Sequence, residues 1–210
     1  MKNQFKTLLS ISILLIVLSI SVVAKGKIVS GNYDSLLIGV NAQGVLTGYL
    51  DYKFGAAPGS CTFFIYGEKE INGKYKVKTW YPGNPDDPDG VIEGELTYVE
   101  KDGKKSINLR LDSDPRTCDW VGMGDLSKNG KNFEFTSAGN WESIRLVSSE
   151  RVYLFKSFNA KAPQKIYIVK KNVVRVLRTK GDRVEINFIN DNGRATKGWM
   201  MPKDFYALAP

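Results

Sequence analysis

From Gly48 onward, short runs of apolar and β-branched residues alternate with turn residues at close spacing. Runs at 48–52, 62–66, 75–80, 91–99, 106–111, 132–135 and 143–147 carry strand composition or alternation, as expected where side chains point to opposite faces in turn. Between them, Asn72-Gly73, Asp102-Gly103 and Asn129-Gly130 supply residues that accept positive φ, which tight hairpins require. Pro82-Gly83 and Pro88-Asp89-Gly90 break the chain elsewhere. Few windows show a helical period. The pattern predicts an all-β fold for residues 25–149, an antiparallel barrel or sandwich, compatible by fold-level analogy with a calycin-type barrel. Residues 150–210 continue with shorter strands at 152–155, 165–169, 173–178, 184–189 and 198–201. Asn190-Asp191-Asn192-Gly193 forms the turn before the last of them. About 60 residues is a marginal size for an independent core.

The first 24 residues read as an address. Lys2 and Lys6 precede a mostly apolar stretch from Thr7 to Val23, which ends on Ala24 directly before Lys25. A positive start, an apolar stretch and a small-residue exit mark a secretory signal peptide. The alternative is an uncleaved anchor, for which the stretch is slightly short. The expectation is cleavage near Ala24 and a soluble periplasmic or secreted protein of a bacterial cell, with no transmembrane segment in the mature chain.

Export changes the meaning of the two cysteines. In an oxidising compartment Cys61 and Cys118 are expected to pair, which also removes cysteine as a nucleophile. With no histidine there is no Ser-His-Asp or Cys-His pair and no imidazole metal site. Two cysteines are too few for a thiolate zinc site or an iron–sulfur cluster. No cofactor is expected. Asn84 to Gly90 invites a calcium reading, but taking Gly90 as the sixth position puts Pro85 first and Leu96 twelfth, where acids are needed.

Charge divides the mature chain. Residues 25–149 hold 15 Lys+Arg against 17 Asp+Glu, and residues 150–210 hold 13 against 5. A near-neutral unit is joined to one of net charge +8, an asymmetry that marks a partner surface.

The basic half resembles the bacterial SH3-like family, small barrels appended to exported cell-envelope proteins. Arg151-Val152-Tyr153-Leu154-Phe155 is similar to its opening strand, and Lys165 to Lys171 to its second strand and basic turn. Val173 to Leu177 and Arg183 to Phe188 resemble the central pair. Lys197-Gly198-Trp199-Met200 resembles the Gly-Trp strand, and Met201 to Phe205 the closing turn. The family often has Gly where this chain has Asn172, a residue that tolerates the left-handed region. The resemblance implies binding, to peptidoglycan peptides or to a protein, and does not imply catalysis.

Trp199, Tyr153, Phe155 and Tyr206 are therefore candidates to line an aromatic groove. Their plain structural role would be to fill the barrel. Lys170, Lys171 and Arg175, within a longer run of cations, are candidates to meet an anionic partner. Nucleic acid is not expected, since no nucleic-acid motif is present. The expected function is a non-enzymatic binding protein of the cell envelope, holding peptidoglycan or an envelope protein through its second unit. One alternative is an immunity or inhibitor protein that blocks a secreted toxin or lysozyme, docking through acids such as Asp86, Asp87 and Asp89. A second is a wall hydrolase using Asp119, Asp125 or Glu142, near Trp120 and Trp141. Glu93 and Glu95 would share one strand face and read as a solvated surface.

Overall fold

The computed structural model describes residues 26–53, 60–81, 90–119, 123 and 125–209, the side chains of Thr117 and Asp119 excepted. The expected signal segment, Asp86, Asp87, Asp89 and Trp120 lie outside them. The chain is all-β. Its first eight strands are β1 (Gly31–Tyr33), β2 (Leu36–Val40), β3 (Leu46–Tyr52), β4 (Cys61–Ile71), β5 (Lys74–Trp80), β6 (Ile92–Lys101), β7 (Lys104–Leu111) and β8 (Lys131–Ala138). They form a closed antiparallel barrel in sequence order, sealed where Gly31 pairs with Ala138. Closure settles barrel against sandwich and leaves this sheet no free edge.

Alternation explains the barrel strand by strand. In β5, Tyr75, Val77 and Thr79 point inward while Lys74, Lys76 and Lys78 point out. Tyr33, Leu36, Leu50, Ile65, Leu96, Leu109 and Phe133 fill the interior. The hairpin turns behave as their residues require, with Asn72, Asp102, Gly73 and Gly103 all at positive φ. β1 and β2 have no counterpart in the predicted strands. β1 is three residues long, and in β2 Leu37 lies outside the barrel against a second apolar layer, which erases the alternation.

Cys61 opens β4, and Cys118 sits on the short helix α1 (Arg116–Asp119). The two are bonded, with Cα atoms 4.5 Å apart. The expected disulfide is present and ties the loop after β7 to the barrel wall.

The second unit has six strands: β9 (Ser143–Leu146), β10 (Arg151–Tyr153), β11 (Tyr167–Val169), β12 (Val173–Lys180), β13 (Arg183–Ile189) and β14 (Ala195–Met200). Their pairing gives a four-stranded sheet in the order β14-β13-β12-β9 and a two-stranded ribbon, β10-β11. A 3-10 turn at Pro202–Asp204 leads to Phe205, which bridges back to Val147. Val147, Leu154, Ile168, Val174, Ile186 and Met200 form its core.

The border expected at Ser149 does not separate the two sheets. β9 precedes it yet pairs with Val173–Val176 of β12, so the second unit opens at Ser143 and not at Arg151. β9 also lies against the barrel. Ile144 donates its N–H to Thr47 Oγ1 at 2.8 Å, and Trp141 donates its indole N–H to the Ile38 carbonyl at 2.7 Å. At the crossing, a Cβ on Gly39 would stand 2.6 Å from the Ser143 Cα. Phe64, Trp141, Ile144 and Leu146 then form a buried seam between the units.

The left-handed turn residue also differs from expectation. Lys171 takes positive φ, at 67°, while Asn172 accepts the Val169 N–H on its side-chain oxygen. The amide side chain closes the turn from outside the left-handed region.

Candidate functional site

The ribbon β10-β11 positions the most distinctive surface of the second unit. Its register sets Arg151 opposite Val169, Val152 opposite Ile168, and Tyr153 opposite Tyr167. Val152 and Ile168 turn inward to the core, so Arg151, Tyr153, Tyr167 and Val169 share the outer face. Tyr153 and Tyr167 are 43% and 47% exposed. Ile166 is exposed at the end of the ribbon. Four of the eight strongly exposed large apolar side chains among the described residues therefore fall on this one hairpin. Scattered single exposures carry no message, but a cluster does.

The cluster is ordered. The two tyrosine rings meet edge to face, with centroids 5.7 Å apart. The Arg151 guanidinium lies 4.4 Å from the Tyr167 ring centroid. A side-chain hydrogen bond with Tyr153, and after it electrostatic interaction with Tyr167, raises the Arg151 pKa further, so the cation is permanent. Glu150 pairs with Lys170 at 2.6 Å, and among the described residues Arg151 has no carboxylate partner. Lys165 and Lys170 border the face, both exposed. Between Ser149 and Asn172 the chain carries six cations against one acid, Glu150.

The other expected groove residues lie elsewhere. Trp199 is only 5% exposed. Phe158 covers it edge-on, and the Arg178 guanidinium lies over its ring. The loop that carries Phe158 is held by Arg183, whose Nη1 donates to the carbonyls of Phe158 and Ala160 at 2.8 and 3.0 Å. Phe155 bridges Trp199 through backbone bonds and lies under the same Arg183. An open groove around Trp199 is thus replaced by a packed corner. The glycine before Trp199 has a packing reason: a Cβ at Gly198 would stand 2.9 Å from the Leu154 Cβ.

Tyr206 packs into the seam. A crevice beside it, lined by Thr47, Phe64, Arg145 and Leu208, measures about 10 Å³, room for no more than one water. Arg175 stacks on Trp141 at the same seam, and burial lowers its pKa. Its Nε and the Oδ1 of its cross-strand partner Asn187 are buried without hydrogen-bond partners. Arg175 is a half-buried structural cation, whereas Lys170 is exposed and Lys171 reaches toward the Tyr81 ring. Of the seven expected ligand residues, the structure brings Tyr153 and Lys170 to one surface and adds Arg151, Tyr167 and Val169, while the Lys171 ammonium lies toward Tyr81.

The candidate acids are ordinary turn and surface groups where they are described. Asp125 accepts the Lys128 N–H at 2.9 Å and the Ser127 hydroxyl at 3.2 Å, and these bonds lower its pKa. Glu142 is exposed, and the Asp119 side chain lies outside the described residues. Glu95 pairs with Lys74 and Arg110 on the outer barrel face. Among the described residues no group of three acids or cysteines could hold a metal, and no helix is long and apolar enough to cross a membrane. No family model, no curated protein and no solved structure matches the chain.

Proposed function

We propose that this chain is an exported, non-enzymatic binding protein of the bacterial cell envelope, and that its second unit is an SH3-like module holding peptidoglycan or an envelope protein. The observation that carries the reading is the single hairpin face on which Tyr153, Tyr167 and Val169 are exposed beside Arg151. Exposed aromatic and aliphatic area of this kind costs solubility and is kept where a partner covers it. The surrounding cations favour encounter with an anionic partner, and the rings supply short-range contact. A late Gly-Trp strand, a short closing turn and the bridge from Phe205 to Val147 support the family resemblance. The disulfide suits an oxidising compartment.

The test is site-specific photocross-linking in the exporting cell. A photoreactive residue at Tyr153 or Val169 should form an adduct with the sacculus or with one discrete envelope protein. The same residue at Lys105, on the outer barrel wall, should not. Equal labelling at all three positions, or none at the hairpin, would remove the proposal.

A further inference from the structure

We propose that the outer face of β10-β11 docks an acidic protein surface, with a partner carboxylate on Arg151 and a partner apolar side chain on the Tyr153–Tyr167 pair. This rests on the binding reading above and names the partner class. Arg and Tyr are the residues enriched at the energetic centre of protein interfaces, while Lys is depleted there. Here Arg151 and the two tyrosines form the centre, and the exposed Lys165 and Lys170 flank the ribbon.

Charge and order choose among occupants. A net of five positive charges between Ser149 and Asn172 opposes pairing with a second copy through the same face. A sugar needs an open ring face, but Arg151 occupies one face of Tyr167, and the edge-to-face contact with Tyr153 occupies a further side. A bilayer rewards cations in any orientation. A guanidinium set over a ring, with no acid partner among the described residues, is instead pre-organised for a carboxylate.

The experiment is an amide-resolved titration of residues 25–210 with four probes: a random copolymer of glutamate and tyrosine, polyglutamate, purified sacculi, and vesicles containing phosphatidylglycerol. The copolymer should perturb the amides of 151–153 and 166–169. Tyr153→Ala, Tyr167→Ala and Arg151→Gln should each weaken it by about tenfold, as central interface residues do. Polyglutamate should bind about tenfold more weakly, because it lacks the apolar side chain. Unchanged spectra elsewhere in each variant show that the fold survives. Equal binding of both polymers, indifferent to the tyrosines, would overturn the proposal in favour of charge alone. Binding of sacculi or vesicles that depends on Tyr153, without copolymer binding, would overturn the protein partner and leave the binding reading standing. If no probe touches the hairpin, both fall.

Discussion

Phe158 lies edge-on to Trp199, with ring centroids 5.6 Å apart, and closes over a ring that is almost fully buried. The contact joins the long loop between β10 and β11 to the last strand of the sheet. Removing the indole opens a large cavity beneath a pinned loop. Trp199→Ala should therefore cost about 3–5 kcal/mol of stability, a core-type loss, measured by denaturant unfolding. Any binding defect of this variant should disappear once the folded fraction is matched. A loss below about 1 kcal/mol would show that the ring is not part of the core.

The tyrosine pair on the other side of the hairpin predicts the opposite behaviour. Both rings are nearly half exposed, so Tyr153→Ala and Tyr167→Ala should each cost about 1 kcal/mol or less. A double-mutant cycle on stability should return a coupling of about 0.5 kcal/mol, the low end for aromatic pairs because the contact is wet. Adduct formation and polymer binding should fall far more than stability does. A stability cost like that of Trp199 would make the pair structural.

Strand positions and hairpins were legible because period-two alternation and positive-φ turn residues are local signals. Lys74 to Trp80 shows the first, and Asn72-Gly73 the second. Ownership of β9 was not legible. Ile144 and Leu146 alternate with polar neighbours in the same way whichever sheet they join, and only pairing to β12 decides. Trp199 and Tyr167 carried no local mark of burial or exposure. Tyr167 could have been found by fixing Ile168 in the core, which turns its two neighbours outward. Arg175 looked like one more surface cation because the seam that half-buries it is built from residues far away in sequence, Trp141 among them.

Cys61 and Cys118 are both buried, so the bond is shielded from reductant in the native state. It closes a separation of 57 residues. Chain-entropy arithmetic for such a loop gives about 4 kcal/mol, acting mainly by restricting the unfolded chain. The denaturant midpoint should fall by that equivalent when reductant is included throughout unfolding. No thiol should label in the oxidised folded protein. A midpoint indifferent to reductant would mean that strain or residual structure cancels the entropy term.

Alkaline pH should destabilise the barrel through its tyrosines. Burial is the first cause raising Tyr49, Tyr33 and Tyr75 above their ordinary value, with the Asp51 charge adding to it at Tyr49. Tyr98 is pushed up to about 12, by loss of solvent first and then by its hydrogen bond to Glu100 at 2.7 Å. A raised folded pKa means that the native state holds its proton longer than the unfolded chain. Stability is then complete below about pH 10, where unfolded tyrosine titrates, and is lost as pH rises through the folded values. Denaturant midpoints should be flat up to about pH 9.5 and fall above about pH 10. Tyr49→Phe should shallow that fall. A phenolate absorbance titration in which all ten tyrosines ionise together near pH 10 would contradict it.

The second sheet draws its outer strand from before Ser149. Val147 is fully buried in its core, and its backbone bridges Phe205. β9 supplies the outermost strand of the four-stranded sheet. A fragment of residues 150–210 lacks both and keeps a core already marginal at about 60 residues. It should show no cooperative unfolding and no dispersed amide spectrum. A fragment of residues 142–210 restores β9 and Val147 and should fold, though Ile144 and Leu146 are then bared on the face that met the barrel. Changing Ile144 and Leu146 to Thr in that fragment should reduce its self-association, since those side chains no longer have a seam to fill. Conversely, residues 25–149 without the second unit keep β9 but leave its backbone unpaired, and an unpaired apolar edge invites aggregation. If 150–210 folds as well as 142–210, β9 belongs energetically to the barrel, and its pairing with β12 serves only to dock the two units.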